Sequence, residues 1–433
     1  PYILISLYPY ILISLYPYLS LKLSLKLSLK IFMKKSLLAL AVLSAVTAAG
    51  TAQAQSNVTQ RFSRNNRSLL AAAGTAQAQS NDTQSLAPPR LPSIAAAGTA
   101  QAQSNVTIYG VVDMAVQHQD TGQAAGSTLA LDSGMQSGSR LGFKGTEDLG
   151  DGLKVNFLLE MGVNVDTGQA TQGGLPFGRQ AWVGLSSDNV GSVSFGRQYA
   201  PGFIAVDNFD PFGTGLTTGT AGSGGSSFGA AHFFGGPSRV NNSVSYATND
   251  LSGFTGHVFY GAGEVTGNTT AHRFFASSGA YNAGPVFATL AYSDRQNATG
   301  DNARKSILLA GTYDFDVVKA HAGYSTIKDD GVAAAAIDVR VWLLGVSIPV
   351  GAGSVLAKYI RYADENASNA NANHNALGYT YPLSKRTNLY TSISHTANDA
   401  NSKMGSDDST DAFYPVAAGA TVKFYQVGIR HRF

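Results

Sequence analysis

Apolar and polar residues alternate with a period of two along most of this chain, from about residue 103 to the end. In the stretch 154–163, Val155 and Phe157 share one face while Asn156 and Glu160 lie on the other. Successive side chains of a β-strand point to opposite faces of the sheet. The pattern therefore predicts strands with one apolar face and one polar face.

The same alternation closes the sequence. Tyr425, Val427 and Ile429 fall on one face, and Gln426 and Arg430 fall on the other. No segment after residue 103 has the 18 or so consecutive apolar residues that a membrane-spanning helix needs. Segments that face lipid on one side and water on the other are typical of transmembrane β-barrels, in which closure leaves no strand edge unpaired.

Counting the alternating segments predicts sixteen strands. We place them near 106–118, 138–147, 152–163, 176–186, 191–199, 238–248, 253–263, 270–281, 285–294, 303–313, 318–327, 338–348, 353–362, 374–382, 387–396 and 420–433. Tight turns rich in Asp, Asn and Gly alternate with longer loops. The tight turns lie at 148–151, 187–190, 249–252, 282–284 and 349–352. Short turns at one end and long loops at the other are the arrangement of outer-membrane barrels.

Composition points the same way. The chain of 433 residues has 48 Gly, 20 Tyr, 21 Phe and 13% charged residues, against about 25% charged residues in ordinary soluble domains. Many of the aromatic residues lie near predicted strand ends, where amphipathic rings favour the level of the lipid headgroups. A soluble two-sheet β protein is the alternative, but it explains neither the export signal described below nor the polar second face of the strands.

The first hundred residues have a different character and predict no part of the barrel. Residues 1–32 are a low-complexity leader that looks like translated upstream sequence, with PYILISLY twice in succession. Residues 33–54 have a basic start, an apolar core and the motif Ala52-Gln53-Ala54, which together indicate a secretory signal peptide. Residues 55–102 repeat the end of that signal and are expected to be disordered.

The sequence allows two interpretations of where the mature chain begins. AAGTAQAQSN occurs three times, with Gly50, Gly74 and Gly98 at intervals of 24 residues. The last copy runs into the first predicted strand, which favours a mature barrel of 103–433 beginning at Gln103. Cleavage after Ala54 would instead leave residues 55–102 as a tail.

The leader also distorts the charge balance of the whole chain, which is +3. Residues 1–102 hold nine Lys and Arg and one acid, Asp82, so the remainder has 21 basic and 26 acidic residues, a net charge of −5. Nucleic-acid binding therefore has no support. The signal peptide predicts that the chain leaves the cytoplasm, and the predicted barrel places it in the outer membrane of a Gram-negative bacterium.

Five segments resemble the general bacterial porins, especially the trimeric porins of neisserial and other beta-proteobacterial outer membranes. They are SNVTIYGVVDMAV (104–116), SRLGFKGTEDLGDGLKVNFLLE (139–160), FGRQAWVGLSSDNVGSVSFGRQY (177–199), SRVNNSVSYAT (238–248) and YQVGIRHRF (425–433). The resemblance covers essentially all of 103–433. It implies a sixteen-stranded antiparallel barrel with an inward-folded third loop, assembled as a homotrimer in lipid and lipopolysaccharide. It also implies a water-filled channel for small hydrophilic solutes and ions.

Selectivity in such a channel depends on charged side chains at its narrowest point. The resemblance assigns the inward-folded loop to 200–237, with Asp207 and Asp210 as its acids. It assigns the facing wall to Arg140, Arg179 and Arg239.

Alternation independently favours an inward Arg140, with Lys144 on the same face. It also suggests that Arg179 faces inward because Trp182, on the opposite face, suits lipid better. Arg197 is a weaker candidate for the pore wall, since it lies near a strand end. Three Arg against two Asp predict a mild preference for anions. The alternatives are a weakly cation-selective pore, in which acids of the outer loops dominate, or a substrate-specific channel.

Phe433 ends an alternating strand. A C-terminal aromatic residue in this position resembles the signal that the barrel-assembly machinery reads.

Catalytic and cofactor motifs are not found. The chain has no Cys, its eight His lack metal-ligand spacing, and neither a G-x-S-x-G elbow nor a P-loop is present. We expect no enzyme, no cofactor and no metal.

Overall fold

The computed structural model describes residues 105–122, 126–213, 215, 233, 235–329, 337–366, 370–405 and 416–433. The leader at 1–32, the signal peptide at 33–54 and the repeated segment at 55–102 lie outside these residues, so their assignments stay predictions. Among the described residues, no helix is long and apolar enough to cross a membrane.

Strands make up most of the described chain. They are β1 (Asn105–Asp120), β2 (Thr128–Ser133), β3 (Arg140–Gly150), β4 (Leu153–Asn164), β5 (Gln169–Ala170), β6 (Gln180–Ser187), β7 (Gly191–Tyr199), β8 (Arg239–Ala247), β9 (Phe254–Gly261), β10 (Phe274–Ala283), β11 (Val286–Gln296), β12 (Ala303–Asp314), β13 (Lys319–Asp329), β14 (Asp338–Val350), β15 (Gly353–Asp364), β16 (Ala372–Pro382), β17 (Thr387–Asn398) and β18 (Thr421–Arg432). Neighbours pair antiparallel throughout, and β1 pairs with β18, which closes the sheet on itself.

These eighteen strands occupy sixteen positions around the barrel. β2 and β3 pair with successive parts of the same edge of β1, through Met114↔Ser133 and Val111↔Arg140. They are therefore two halves of one interrupted strand. β5 and β6 relate to β4 in the same way. The predicted sixteen-stranded barrel is confirmed, and what the periodicity missed is that two of its strands are interrupted.

The interruptions are two inserts, 134–139 and 171–179. We call them insert A and insert B. Insert B begins with the four-residue helical segment α1 (Thr171–Gly174), in which Gln172 has a positive φ of 55°. Both inserts occur at barrel positions whose strands carry predicted arginines, so they set the geometry of the site described below.

The two faces of the strands follow the predicted alternation. Val427 and Ile429 on the outer face are 59% and 46% exposed, whereas Gln426 on the inner face is 4% exposed. Lipid supplies no hydrogen-bond partners, so apolar side chains favour the outside and polar ones the lumen. Tyr109 differs from the expectation for aromatic residues, because its ring lies inside the barrel and donates a hydrogen bond to Glu160.

The loop after β7 folds into the barrel. It begins with the helix α2 (Pro201–Phe209), whose first turn carries Pro201, a residue that is favourable there because its missing N–H would have no helical partner. Phe203, Val206 and Phe209 are buried, and the helix contacts β9 to β13. The Phe209 ring lies over Gly323 of β13, where a Cβ atom would overlap it. The inward fold of the third loop is therefore observed for its described part.

Candidate functional site: the constriction of the barrel

The three arginines predicted for the pore wall start from irregular backbone at the ends of strands. Arg140 is the first residue of β3, directly after insert A, and Arg179 is the last residue of insert B. Arg239 is the first residue of β8. The structure brings all three guanidinium groups to one cluster inside the barrel.

Glu160 of β4 is the carboxylate of that cluster. Its Oε1 accepts a hydrogen bond from Nε of Arg179 at 2.9 Å, and its Oε2 lies 4.0 Å from Nη1 of Arg140. Tyr109 donates its hydroxyl to the same Oε2 at 2.7 Å. The side chains of Arg179 and Glu160 are 5% and 4% exposed. A buried pair of this kind holds both partners tightly, since either one left alone would be an uncompensated charge.

Tyr199 joins the other side of the cluster. Its hydroxyl oxygen accepts hydrogen bonds from Nη2 of Arg179 at 2.6 Å and from Nη2 of Arg239 at 3.2 Å. The Arg239 guanidinium lies 4.8 Å from the centre of the Tyr199 ring, within the range of a cation–π interaction. The ring in turn stacks on Phe203 of α2 at 4.7 Å. The third loop and the arginine cluster therefore share one aromatic support.

Insert A is held in place by Asp113 of β1. The backbone N–H groups of Gln136 and Ser137 donate to its Oδ2 at 2.8 and 2.6 Å. Its Oδ1 accepts the hydroxyl proton of Tyr390. Arg140 then donates from Nε to the carbonyl of Gly138 inside the insert, at 2.8 Å. These bonds fix the direction in which Arg140 enters the lumen.

The two acids predicted for the loop have different surroundings. Asp210 is buried, and its Oδ2 lies 2.8 Å from Nζ of Lys358 on β15. Its Oδ1 accepts the N–H of Phe212 at 2.9 Å, and the Lys358 ammonium lies 5.0 Å from the centre of the Phe212 ring. Asp207 is exposed. Sequence reasoning expected both acids to oppose the arginines, but the charge of Asp210 is compensated within the loop's own wall.

The loop and the arginines occupy different parts of the barrel circumference. α2 lies against β9 to β13. Further along the loop, Pro211 lies against Gly345 of β14 and Phe212 lies against Gly378 of β16. The arginine cluster belongs to barrel positions between β3 and β8. The described part of the lumen is thus bordered by the arginine cluster with Glu160 on one side. On the other side lies the described part of the loop, in which Asp210 is compensated and Asp207 is exposed.

Two predictions about the faces of β6 and β7 were wrong. Arg197 pairs with Ala181, next to the outward pair Val183↔Phe195, so it lies on the outer face and does not line the pore. It donates to the carbonyl of Gly178 at 2.7 Å and to Asn241 at 2.6 Å.

Trp182 lies in one line of cross-strand neighbours with Lys144 and Ser243. Residues paired in this way lie on the same face of the sheet. Lys144 and Ser243 lie on the inner face, so Trp182 points into the lumen instead of into lipid. Arg179 reaches the lumen all the same, because it belongs to insert B and does not follow the alternation of β6.

Lys144 faces inward as predicted, with its ammonium 5.3 Å from the centre of the Tyr109 ring. Three members of the site escaped sequence reasoning. Glu160 was recognised as an inward residue but not as a partner of arginines, and nothing local marked Tyr199 or Lys358. The signal for Lys358 is a cation on the inner face of β15, which needs a counter-ion that only the folded chain supplies.

Phe433 lies at the seam where the barrel closes. Its backbone N–H and carbonyl exchange hydrogen bonds with Gly110 of β1, both at 3.1 Å, and its ring covers Gly110.

A closed antiparallel barrel with lipid-facing and lumen-facing rows, an inward loop and a charged constriction defines a membrane channel. The chain belongs to the Gram-negative porin family, whose model matches residues 91–401. It is an outer-membrane porin, that is, a diffusion channel, as the family resemblance in the sequence predicted.

Two curated relatives and one solved structure are similar over most of their length. An outer membrane porin protein of Bordetella pertussis is 32% identical over 385 residues, which cover 76% of this chain and 94% of the relative. An outer membrane porin protein of Delftia acidovorans is 35% identical over 341 residues, with the same two shares. The structure of the anion-selective porin from Comamonas acidovorans is 32% identical and superposes with a TM-score of 0.67. The match covers 76% of this chain and 100% of the Comamonas chain.

Proposed function

We propose that this porin is a general diffusion channel that prefers anions and passes small hydrophilic solutes without catalysing a reaction. The observation that carries the selectivity is the charge balance of the constriction. Arg140 and Arg179 share the carboxylate of Glu160 there, while Arg239 donates to the Tyr199 hydroxyl. Three guanidinium groups thus meet one described carboxylate, which leaves a surplus of two positive charges.

The loop does not cancel this surplus. Asp210 is paired with Lys358, so Asp207 is the loop acid that stays exposed. Low-dielectric walls strengthen the field of charges at a narrow point. The local surplus therefore outweighs the net charge of −5 that residues 103–433 carry, because distant charges are screened within about 10 Å at 0.1 M salt. The anion-selective porin of Comamonas acidovorans, a structural neighbour, supports the same conclusion.

The selectivity is tested by the reversal potential of single channels in a KCl gradient. We expect the sign that corresponds to chloride passing more readily than potassium, and a clear potassium preference would refute the proposal. Swelling of proteoliposomes in sugars and amino acids of graded size separates the two remaining possibilities. A general pore gives rates that fall smoothly with solute size, whereas a substrate-specific channel gives one solute that departs from that curve.

We also propose the assembly that the sequence resemblance implies. The chain forms a homotrimer in lipid and lipopolysaccharide, and Phe433 serves as the signal to the barrel-assembly machinery. Cross-linking in outer-membrane vesicles tests the trimer: a species of three times the monomer mass is expected, and monomer alone refutes it. N-terminal sequencing of outer-membrane material tests whether the mature chain begins at Gln103.

A further inference from the structure

A second cluster of basic residues surrounds a cavity at the end of the barrel where the chain turns are short. The cavity has a volume of about 290 Å³. Its basic lining residues are Lys385 and Arg386, from the turn between β16 and β17, and Arg430 and Arg432 of β18. In barrels of this kind the short turns face the periplasm, so the cavity lies at the periplasmic mouth.

The cavity opens to the lumen and not to lipid. Ser354 and Thr380, which also line it, pair across β15 and β16. Ser354 has the same parity on β15 as Lys358, which points inward to Asp210. On the other side, Asn388 pairs with Arg430, in the row opposite to that of the exposed Ile429. The lining is therefore part of the solute path.

The positive charges of this cavity lack a matching set of acids. In the described part of the chain, the side chains of Lys385, Arg386 and Arg432 form no ion pair or hydrogen bond with another residue. Arg430 donates to Asn388 at 3.0 Å and to Ser137 at 3.4 Å, and it is attracted by Asp113. None of the described residues that line the cavity is acidic. Like charges held this close are unfavourable unless an anion joins them.

The cavity continues the constriction. Gln136 of insert A lines it and accepts a hydrogen bond from Asn388 at 2.8 Å. Arg430 is near enough to Arg140 for the two charges to repel each other. An anion that has passed the arginine cluster therefore meets further cations before it leaves the barrel, with insert A between the two sites.

We propose that Lys385, Arg386, Arg430 and Arg432 form a second anion site, at the periplasmic mouth, which binds small divalent oxyanions such as dicarboxylates or phosphate. Guanidinium groups present paired N–H donors that match two oxygens of a carboxylate or a phosphate. Several cations around one cavity favour a ligand with two charges over chloride. This proposal rests on the proposed anion channel. The site binds an anion that has passed the constriction, on the periplasmic side, where uptake ends.

The test is block of single-channel chloride current by inorganic phosphate and, separately, by succinate, added on the periplasmic side in about 0.1 M KCl, where screening is moderate. The variant is Arg386→Gln with Arg432→Gln, which removes two cations whose side chains have no partner among the described residues and so leaves the fold intact. The matched control is Lys319→Gln, which removes an inward cation at the start of β13, at the same end of the barrel but outside the cavity.

We expect block of the wild-type channel and unchanged block in the Lys319 control. In the double variant we expect block about fivefold weaker, which corresponds to about 1 kcal/mol for the two exposed charges together. Whichever probe blocks more strongly identifies the favoured oxyanion. Absence of block by both probes, or equal block in the wild type and the double variant, overturns the proposal. The reversal potential, measured on the same channels, reports on the constriction separately, so a failure of the proposed selectivity is distinguishable from a failure of this site.

Discussion

Asp210 and Lys358 are 148 residues apart in the chain, yet their side chains form an ion pair of 2.8 Å inside the barrel. The two side chains are 2% and 0% exposed. This pair ties the inward loop to β15, next to the contacts of Phe209 with β13 and of Phe212 with β16. The width of the pore therefore depends on a bond between the loop and the wall against which it lies.

Replacing Lys358 with Met should release the loop. It leaves Asp210 as an uncompensated buried charge, which costs about 3–5 kcal/mol, and the loop escapes that cost by moving its carboxylate into water. We expect a larger single-channel conductance and faster proteoliposome swelling in sugars near the size limit. The double variant Asp210→Asn with Lys358→Met removes both charges and should stay close to the wild type. Wild-type conductance and swelling in the single variant would show that the pair does not hold the loop.

Replacing Glu160 with Gln should increase the preference for anions. It removes the carboxylate that Arg179 and Arg140 share, so the constriction gains one positive charge and the reversal potential shifts toward the chloride limit. The barrel should also unfold at a lower temperature, because the buried charge of Arg179 is left without its carboxylate partner. Glu147→Gln, an exposed change near the periplasmic end of β3, is the control. A shift toward potassium would contradict this account of the cluster.

The two tryptophans of the chain should report on opposite faces of the wall. Trp342 is 51% exposed on the outer face, and its ring packs at a tilt against Tyr324, with the ring centres 4.1 Å apart. Trp182 instead points into the lumen. In the variant Trp182→Phe, the fluorescence of the remaining Trp342 should be quenched by brominated lipids. In the variant Trp342→Phe, the fluorescence of the remaining Trp182 should be quenched by a water-soluble quencher that enters the pore. The reverse result would contradict the register of β6.

Replacing Phe433 with Ala should lower the amount of barrel in the outer membrane much more than it lowers refolding in detergent. The backbone hydrogen bonds to Gly110 remain, so the seam still closes, but the proposed assembly signal is lost. Phe433→Tyr keeps an aromatic ring and should restore the outer-membrane level. Equal losses in the membrane and in detergent would assign Phe433 a purely structural role.

The barrel was predictable because each strand can be recognised from the alternation of apolar and polar residues in its own sequence. Alternation in β4 or β18 reports local contact with lipid on one side and water on the other, and turns rich in Asp and Gly mark the ends. The interruptions of β2–β3 and β5–β6 left no such signal. Insert A depends on hydrogen bonds from Gln136 and Ser137 to Asp113, more than twenty residues earlier, and no local pattern encodes them.

The site was predictable only in part, for the same reason. Arg140, Arg179 and Arg239 were found through motif resemblance, but the alternation argument for Arg179 was unsound, since that residue precedes β6 and Trp182 faces inward. Arg197, the weaker candidate near a strand end, was misplaced, because its pairing with Ala181 sets it on the outer face. The compensation of Asp210 by Lys358 needs the folded barrel, which brings distant segments together.

The central claim is that surplus positive charge at the constriction sets the selectivity. Its most direct test is the reversal potential in a KCl gradient of the double variant Arg140→Gln with Arg239→Gln, which keeps the buried Arg179–Glu160 pair. Arg197→Gln removes an arginine from the outer face and serves as the control. We predict that the wild type and the control prefer chloride, while the double variant loses that preference and approaches zero or a weak preference for potassium. An unchanged chloride preference in the double variant would contradict the account.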